Sequence, residues 1–221
     1  TGTFNSSTGQ IDLSASTIDS HIITYTVDGV QSGQTVGITA APYSSTRSFS
    51  FDGVNDYFSS GNPTELQITG NLSISFWFKT SSASNMRIAG KDGGSASNRN
   101  YTTIISSGLV GFKIYKSDTG ASVFTTGTYN DGNWHNAVAV NDGSDLKIYI
   151  DGSLKNTNSG GGGTIDNDTV DFEIGRMGNN TKFFNGNLDE VSIWNSALSS
   201  DAVTEIYNSG AANDLESLTN A

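Results

Sequence analysis

The stretch that decides the fold is GNLDEVSIWNSALSS, residues 186–200. Its central residues, VSIW at 191–194, favour a β-strand because β-branched and aromatic side chains pack well on a pleated surface. The polar NS pair that follows ends the strand in a turn. We therefore expect a strand that leads through a short loop into the next element.

One short helix is predicted directly after this strand, over residues 201–208. Ser199 or Ser200 can cap its first turn, and Gly210 stands where a left-handed C-terminal cap is expected. Four apolar residues recur at helical spacing and define one face of the helix: Ala202, Val203, Ile206 and Tyr207. A lone helix after a strand, near the end of a chain of strands, is a specific arrangement.

Strand and turn patterns fill most of the remaining chain. Residues 72–79 alternate, and one face consists of Leu72, Ile74, Phe76 and Phe78. Residues 133–141 alternate in the same way, and Trp134 within them is expected to belong to the core. Antiparallel hairpins in this number curl into two packed sheets. The predicted fold class is therefore all-β, an antiparallel β-sandwich with one short C-terminal helix.

Residues 1–42 differ from the rest of the chain in their sequence pattern and are predicted to form a small N-terminal β segment. Three strands are indicated, at 10–15, 21–27 and 34–39. An immunoglobulin-like sandwich needs about seven strands, so this segment cannot close one. It resembles the C-terminal part of the bacterial Ig-like repeats of large surface proteins. We expect 1–42 to be an Ig-like fragment and 43–221 to form the sandwich.

The charge and composition of the chain exclude several classes of partner. The sequence has 22 acidic and 11 basic residues, which gives a formal net charge of -11. Nucleic acids and anionic membrane surfaces attract basic patches, so neither is an expected partner, whereas divalent cations are compatible with this charge. Cysteine is absent, and no apolar run is long enough to predict a membrane span.

Five stretches in order resemble the laminin-G-like, concanavalin A-like jelly-roll family, which includes the pentraxins. They are FDGVNDYF at 51–58, LSISFWFK at 72–79, DGNWHNAVA at 131–139, LKIYIDG at 146–152 and GNLDEV at 186–191. The resemblance covers about residues 46–210. It implies a jelly roll with two curved sheets in a secreted, cell-surface or virion-borne protein. Members commonly bind glycans or proteins, often with calcium.

The sequence does not predict a catalytic centre. A nucleophilic triad needs a histidine, and His21 and His135 are the two in the chain; His135 follows Trp134 in a family motif and is expected to be structural. Glucanases of this fold resemble one another in a Glu-x-Asp-x-Glu strand, whose nearest counterpart here, Asp171-Phe172-Glu173, lacks one carboxylate. The adjacent carboxylates Asp189 and Glu190 point to opposite faces of a strand. We therefore expect no enzymatic activity, with glycoside hydrolysis as the catalytic alternative.

A calcium ion is the expected cofactor, and its predicted ligands are Asp52, Asn55, Asp56 and Asp189. Calcium takes about six to eight oxygen ligands, and the first three residues lie close together at a turn that Asp189 could approach. The alternative is that these side chains close turns by bonding to their own backbone. A pentraxin-type acidic loop is not expected, because residues 176–180 read RMGNN at the corresponding place.

Polar loops with aromatic residues are the predicted sugar-binding sites, because sugars bind on aromatic platforms with planar polar partners. The candidates are Tyr129, Asn130, Asp131, Asn180, Lys182, Phe183 and Arg99. Phe183 or Phe184 could alternatively anchor a hairpin in the core.

The prediction is a non-catalytic glycan- or protein-binding module, lectin-like and adhesive, on an extracellular, cell or virion surface. The alternative is a structural subunit that decorates a virion, fibre or filament without a free ligand. Residues 1–42 favour that alternative, because an incomplete sandwich could exchange strands in a homo-oligomer or larger assembly.

Overall fold

The computed structural model describes residues 47–95, 97–117, 119–211, 215 and 218, together with the backbone of four N-terminal strands. The chain divides into two compact units, Thr1–Tyr43 and Ser44–Ala221. The first unit contains two antiparallel hairpins, one formed by β1 (Thr3–Asn5) and β2 (Gln10–Asp12), the other by β3 (Ser20–Val27) and β4 (Val30–Gly37).

The strands predicted near the N-terminus fall on these hairpins with shifted ends. The strand expected at 34–39 begins earlier, at Val30, and residues 38–39 lie outside the described part of the chain, as do 13–15 of the strand expected at 10–15. The side chains of residues 1–42 also lie outside the described part. The Ig-like character of this segment and its role in assembly therefore stay predictions.

The second unit is an antiparallel sandwich of two six-stranded sheets. Its strands are β5 (Phe49–Asp52), β6 (Phe58–Ser59), β7 (Leu72–Lys79), β8 (Met86–Asp92), β9 (Arg99–Ser106), β10 (Leu109–Lys116), β11 (Thr119–Phe124), β12 (Trp134–Asn141), β13 (Leu146–Ile150), β14 (Ser153–Asn158), β15 (Glu173–Ile174) and β16 (Asn185–Trp194). The first sheet has the order β14-β13-β12-β7-β16-β5, and the second has the order β11-β10-β9-β8-β15-β6. One α-helix, α1 (Ser200–Tyr207), follows β16, and single 3-10 turns occur at Thr64–Leu66 and Asn208–Gly210. The predicted fold class is confirmed.

The core lies between the two sheets and follows the predicted alternation. Phe76 and Phe78 on β7 are fully buried, and they share the core with Phe112 and Ile114 on β10 of the second sheet. The alternate residue of β7, Trp77, points to the other side of the first sheet and stacks on Tyr207 of α1, with ring centroids 5.9 Å apart. β7 and β10 thus each bury one face against the opposite sheet.

Helix α1 covers the outer face of the first sheet. Its buried residues Ala202, Val203 and Ile206 pack in a second apolar cluster with Val138 and Val140 of β12. The apolar face predicted from the sequence is therefore the face that packs.

The residues at the two ends of α1 show which of the predicted caps form. The Ser199 hydroxyl accepts a hydrogen bond from the Ala202 amide at 3.1 Å, so Ser199 is the N-cap. The left-handed C-cap is Asn208, with φ of 44°, rather than Gly210 as predicted. Asparagine tolerates this conformation because its short polar side chain bonds locally.

The turn between β12 and β13 is held by the carboxylate of Asp142. Its Oδ1 accepts hydrogen bonds from the amides of Ser144 (3.0 Å) and Asp145 (2.7 Å), and its Oδ2 lies 2.7 Å from Nζ of Lys147. The Lys147 ammonium, followed by the Asp145 amide, lowers the pKa of Asp142 to about 2. The ionised carboxylate therefore stabilises the folded chain.

Stability is expected to fall as this carboxylate is protonated. Because the folded pKa is lower than that of a free aspartate, the contribution is complete above about pH 4 and is lost as the pH falls toward about 2. Asp142→Asn should remove about 1 kcal/mol at pH 7 and little at pH 2. Urea denaturation at several pH values measures this difference. Glu65→Gln, at an exposed carboxylate, is the control, and an equal pH dependence in both variants would contradict the assignment.

Candidate functional site

The outer face of the second sheet is not covered by α1, and we call the part formed by β9, β10 and β11 the open face. On these strands, Tyr101, Ile105, Val110, Phe112, Ile114 and Val123 belong to the core. Because side chains alternate along a strand, the residues between them point outward. The outward set on the open face is Thr102, Ile104, Lys113, Tyr115, Ser122 and Phe124.

A tyrosine ring with two cations beside it lies at one end of the open face. Nζ of Lys113 is 4.8 Å from the centroid of the Tyr115 ring, and Cζ of Arg99 is 5.3 Å from it. These distances are typical of cation–π contacts. Tyr115 is only 3% exposed, although it points away from the core between the sheets. Gly120 permits the packing, since a Cβ there would lie 2.3 Å from Cε of Lys113.

A buried carboxylate fixes the position of Arg99. Nε of Arg99 is 3.3 Å from Oδ1 of Asp92, and Nε of Arg87 is 3.0 Å from Oδ2 of the same side chain. The Asp92 side chain is 2% exposed, so two guanidinium groups compensate its burial. Arg99 also donates from Nη2 to the Gly94 carbonyl. Its orientation is therefore set by the sheet rather than by solvent.

The segment after β15 lies along the edge of this network and carries three of the predicted sugar-binding residues, Asn180, Lys182 and Phe183. The Gly178 amide donates to the Asp92 carbonyl at 2.9 Å, and the Arg87 amide donates to the Lys182 carbonyl at 2.9 Å. Asn180 and Lys182 both have left-handed backbone conformations and exposed side chains.

Arg176 holds the base of this segment. It forms a bidentate pair with Glu173, at 3.0 Å and 2.6 Å, and its Cζ lies 3.3 Å from the centroid of the Tyr57 ring. The Glu173 carboxylate raises the pKa of Arg176 above its usual value. Phe184 is the fully buried anchor, and Phe183 is only partly buried. Of the two residues that could anchor a hairpin in the core, Phe184 is therefore the one that does so.

Tyr129, Asn130 and Asp131 lie at the opposite end of β9. The Tyr129 amide donates to the Gly108 carbonyl at 2.8 Å, beyond the last residue of β9, whereas Arg99 is its first residue. Eight residues at about 3.3 Å each separate the two groups by roughly 25 Å. The predicted sugar-binding residues therefore do not form one site, because Arg99 lies at one end of β9 and Tyr129, Asn130 and Asp131 lie at the other.

His135 joins the second group to the sandwich. Its Nδ1 lies 2.8 Å from Oδ2 of Asp151 and its Nε2 lies 3.2 Å from Oδ1 of Asp131. Hydrogen bonds from Asn133 lower the pKa of Asp131 to about 2. Trp134, expected in the core, is 38% exposed. That expectation is wrong because Trp134 is the first residue of β12 and pairs with exposed Lys79 at the end of the sheet.

The four predicted calcium ligands do not form one cage. Oδ1 of Asp52 accepts the Val54 amide at 2.7 Å, and Oδ2 of Asp56 accepts the Asp52 amide at 2.9 Å, so both close their own turn. Asp189 lies four residues along β16 from Asn185, the partner of Asp52, or about 13 Å away. Within the described residues, no group of three or more His, Cys, Asp or Glu side chains could hold a metal ion. The donor set does not fit calcium in this arrangement, and calcium binding stays a prediction.

Lys113 and Tyr115 were missed by reasoning from the sequence. Sequence patterns favour polar loops as binding sites, whereas both residues lie within strand β10. The available signal was the pattern GFKIY at 111–115, where a lysine and a tyrosine occupy the positions between core residues. The sequence could show that these two face outward, but not that Arg99 approaches them from β9.

Comparison with known proteins agrees with this architecture. The two antiparallel sheets, with α1 on the outer face of the first, define a jelly-roll β-sandwich protein. The chain belongs to the Laminin_G_3 family of the concanavalin A-like lectin/glucanases superfamily, whose model matches residues 52–204. Within the described residues, no helix has the length and apolar character that crossing a bilayer requires.

Individual relatives are distant. The chain is 27% identical over 168 residues to adhesion G-protein coupled receptor V1 of Danio rerio, covering 69% of this chain and 3% of that protein. Among solved structures, it resembles the Ruminococcus gnavus IT-sialidase CBM40 bound to alpha2,3 sialyllactose, with a TM-score of 0.59, 14% identity, and coverage of 73% and 97%. It also resembles the heptameric SAP-like pentraxin of Limulus polyphemus, with a TM-score of 0.54, 17% identity, and coverage of 72% and 80%. These structures show the fold alone.

Proposed function

We propose that the chain is a non-catalytic, lectin-like adhesive module of an extracellular or surface protein, and that it binds acidic glycans on the open face. The single observation that carries the proposal is the pair of cations around Tyr115, on the sheet face that α1 leaves uncovered. A carboxylate or sulfate on a sugar would pair with Lys113, while the sugar ring packs along the partly exposed side chains of the open face.

The distribution of charge supports this choice of face. The chain has a formal net charge of -11, yet six of its 11 basic residues lie on the second sheet or on the segment after β15 with side chains outside the core: Arg87, Arg99, Lys113, Lys116, Arg176 and Lys182. Asp92 and Glu173 neutralise three of these arginines. Lys113 forms no ion pair within the described residues and is only partly buried, so its charge is available to an anionic ligand.

The ligand of one structural neighbour suggests the glycan class, although the likeness itself extends only to the fold. The CBM40 neighbour was solved with alpha2,3 sialyllactose, an acidic trisaccharide, and another neighbour is the receptor binding domain of a botulinum neurotoxin C/D mosaic serotype. The family includes glucanases by name, but Glu173, one of the two carboxylates considered for hydrolysis, is paired with Arg176. Both oxygens of this carboxylate accept hydrogen bonds from Arg176, so neither is directed toward a ligand.

Binding to sialylated and sulfated glycans is expected to fall about tenfold in Lys113→Glu, because the ligand charge then meets a like charge. A glycan array, run with and without calcium, followed by titration of the best glycan, measures the loss. Lys79→Glu is the matched control, since it makes the same change at an exposed position on the first sheet. Equal losses in the two variants, or a preference for neutral glycans, would contradict the proposal. A separate assay for the release of reducing sugars tests whether the chain hydrolyses glycans.

A structural role is the second candidate, and one apolar surface favours it. Phe49, Val54, Tyr57 and Phe58 are exposed large hydrophobic residues at the edge strands β5 and β6. The cavity between Phe49, Phe58 and Val191 measures about 350 Å³. Exposed apolar clusters at sheet edges commonly mark assembly contacts. Analytical ultracentrifugation over a range of concentrations distinguishes the candidates, because a decorating subunit should self-associate whereas a monomeric binding module should not.

A further inference from the structure

A lysine is fully buried in the core of the sandwich. Lys91 on β8 is 0% exposed, and it pairs across the ladder with Tyr101, which is also 0% exposed and belongs to the core. Lysine is almost never completely buried unless its amino group has a partner. Its Nζ contacts the side-chain Oδ1 of Asn62, in the segment that follows β6.

The surroundings of this amino group favour its neutral form. Burial lowers the pKa of Lys91, and the carboxylates of Asp171 and Asp168 oppose that effect. A neutral primary amine is a nucleophile, whereas an ammonium ion is not. Nζ contacts the carboxamide of Asn62. The carbonyl carbon of a carboxamide is an electrophile, and an amine can replace its nitrogen when that nitrogen is protonated as it leaves.

The carboxylate with the strongest electrostatic effect on Lys91 is that of Asp171, an exposed residue before β15. The Phe172 amide donates to the Gly61 carbonyl at 2.8 Å, and the Ser60 amide donates to the Phe172 carbonyl at 3.1 Å. These bonds set residues 170–172 antiparallel to 60–62, so Asp171 and Asn62 are neighbours in that pairing. The Tyr101 hydroxyl donates to the Leu66 carbonyl at 2.8 Å and holds the same segment against the core.

We propose that Lys91 and Asn62 form an intramolecular isopeptide bond. The lone pair of Nζ attacks Cγ of Asn62, and a new C–N bond forms. The C–Nδ2 bond then breaks, and a proton from Nζ passes through the Asp171 carboxylate to the leaving nitrogen, which departs as ammonia. One amide replaces another, so the reaction needs no oxidant, reductant or further reactant. Asp171 is the proton-transfer group, and Asp168 adds negative charge that stabilises the cationic intermediate.

Such a bond would staple three strands of the second sheet. Lys91 lies on β8 and Asn62 follows the edge strand β6, while β15 and the residues before it lie between them. The cross-link closes a loop of about 30 residues, which limits the unfolded chain in the way that a disulfide does. The sequence contains no cysteine, so no disulfide supplies this constraint.

Intact-mass spectrometry of the full chain tests the proposal directly. The folded protein should weigh about 17 Da less than its sequence, which is the mass of one ammonia released when the lysine amine acylates. Proteolysis should yield one branched peptide that joins the Asn62 and Lys91 segments. A full sequence mass, with both peptides recovered separately, would overturn the proposal.

Two variants distinguish this cross-link from other losses of ammonia. Asn185-Gly186 could also lose ammonia by forming a succinimide, but that product would survive in Lys91→Arg and would not branch. Lys91→Arg should restore the full mass. Asp171→Asn should fold but cross-link at least tenfold more slowly after refolding, and an unchanged rate would remove Asp171 from the reaction. If Lys91→Arg does not fold, the branched peptide of the unaltered chain decides alone.

The bond should also be visible in stability. Lys91→Arg keeps the positive charge but cannot form the amide, and its Tm is expected to fall by roughly 10 °C, the effect of opening a loop of this length. Asn62→Asp should retain a cross-link with loss of water instead of ammonia, and therefore most of the Tm. If Asn62→Asp is cross-linked by mass but its Tm is as low as that of Lys91→Arg, the bond has no stabilising role.

Discussion

Replacing Gly186 with alanine is expected to destabilise the sandwich by about 3 kcal/mol, a large part of the stability of a typical domain. A Cβ at this position would lie 2.2 Å from the carbonyl oxygen of Lys79 and 3.1 Å from Cβ of Thr80. The backbone of Gly186 also has a φ of 144°, which a residue with a side chain rarely adopts. Because the first clash is with backbone, β16 and β7 must separate where they begin to pair.

Chemical denaturation of Gly186→Ala measures this loss, and Gly127→Ala is the matched control. A Cβ at Gly127 meets nothing within 4 Å, and its φ is not in the left-handed region, so the change there should stay within about 1 kcal/mol and can stabilise. Comparable effects at the two glycines would mean that β16 and β7 are not packed as described.

Phe76→Ala is expected to cost about 4 kcal/mol, because it removes a large side chain from a site that cannot collapse around the cavity. Phe76 is 0% exposed, lies on the central strand β7 and packs against the ring of Phe78, with centroids 5.8 Å apart. Thermal unfolding followed by circular dichroism measures the change, and the midpoint of the transition should fall well below that of the unaltered protein.

Phe49→Ala is the matched control for this prediction. It deletes the same side chain at a position that is 61% exposed, where the ring contacts Phe58 at 4.9 Å between centroids. A loss below about 1 kcal/mol is expected, because little apolar area returns to water. If Phe49→Ala were as destabilising as Phe76→Ala, the edge at β5 and β6 would have to be buried in solution, which would favour the structural role.

Functional residues were predicted less well than structural ones for a physical reason. Arg99, Asn180 and Lys182 were chosen because polar loop residues are exposed; Asn180 and Lys182 are exposed, whereas Arg99 is the first residue of β9 and its side chain is held by Asp92. Tyr129 and Asp131 were chosen by the same reasoning and lie at the other end of β9. Exposure is a local property that sequence can indicate. Proximity between residues 30 or 80 positions apart depends on strand order, which local sequence patterns do not predict.

The sequence by itself determined the strand alternation, the two-sheet sandwich, the strand before α1 and the apolar face of that helix, since these depend on side-chain periodicity and residue propensity. Only the tertiary structure decided which sheet α1 covers, and therefore which face is open to a ligand. It also decided that Asp52 and Asp56 bond to their own turn, and that buried Lys91 meets Asn62. Such contacts join distant segments, and their energies depend on burial and distance, which exist only after the sheets have packed.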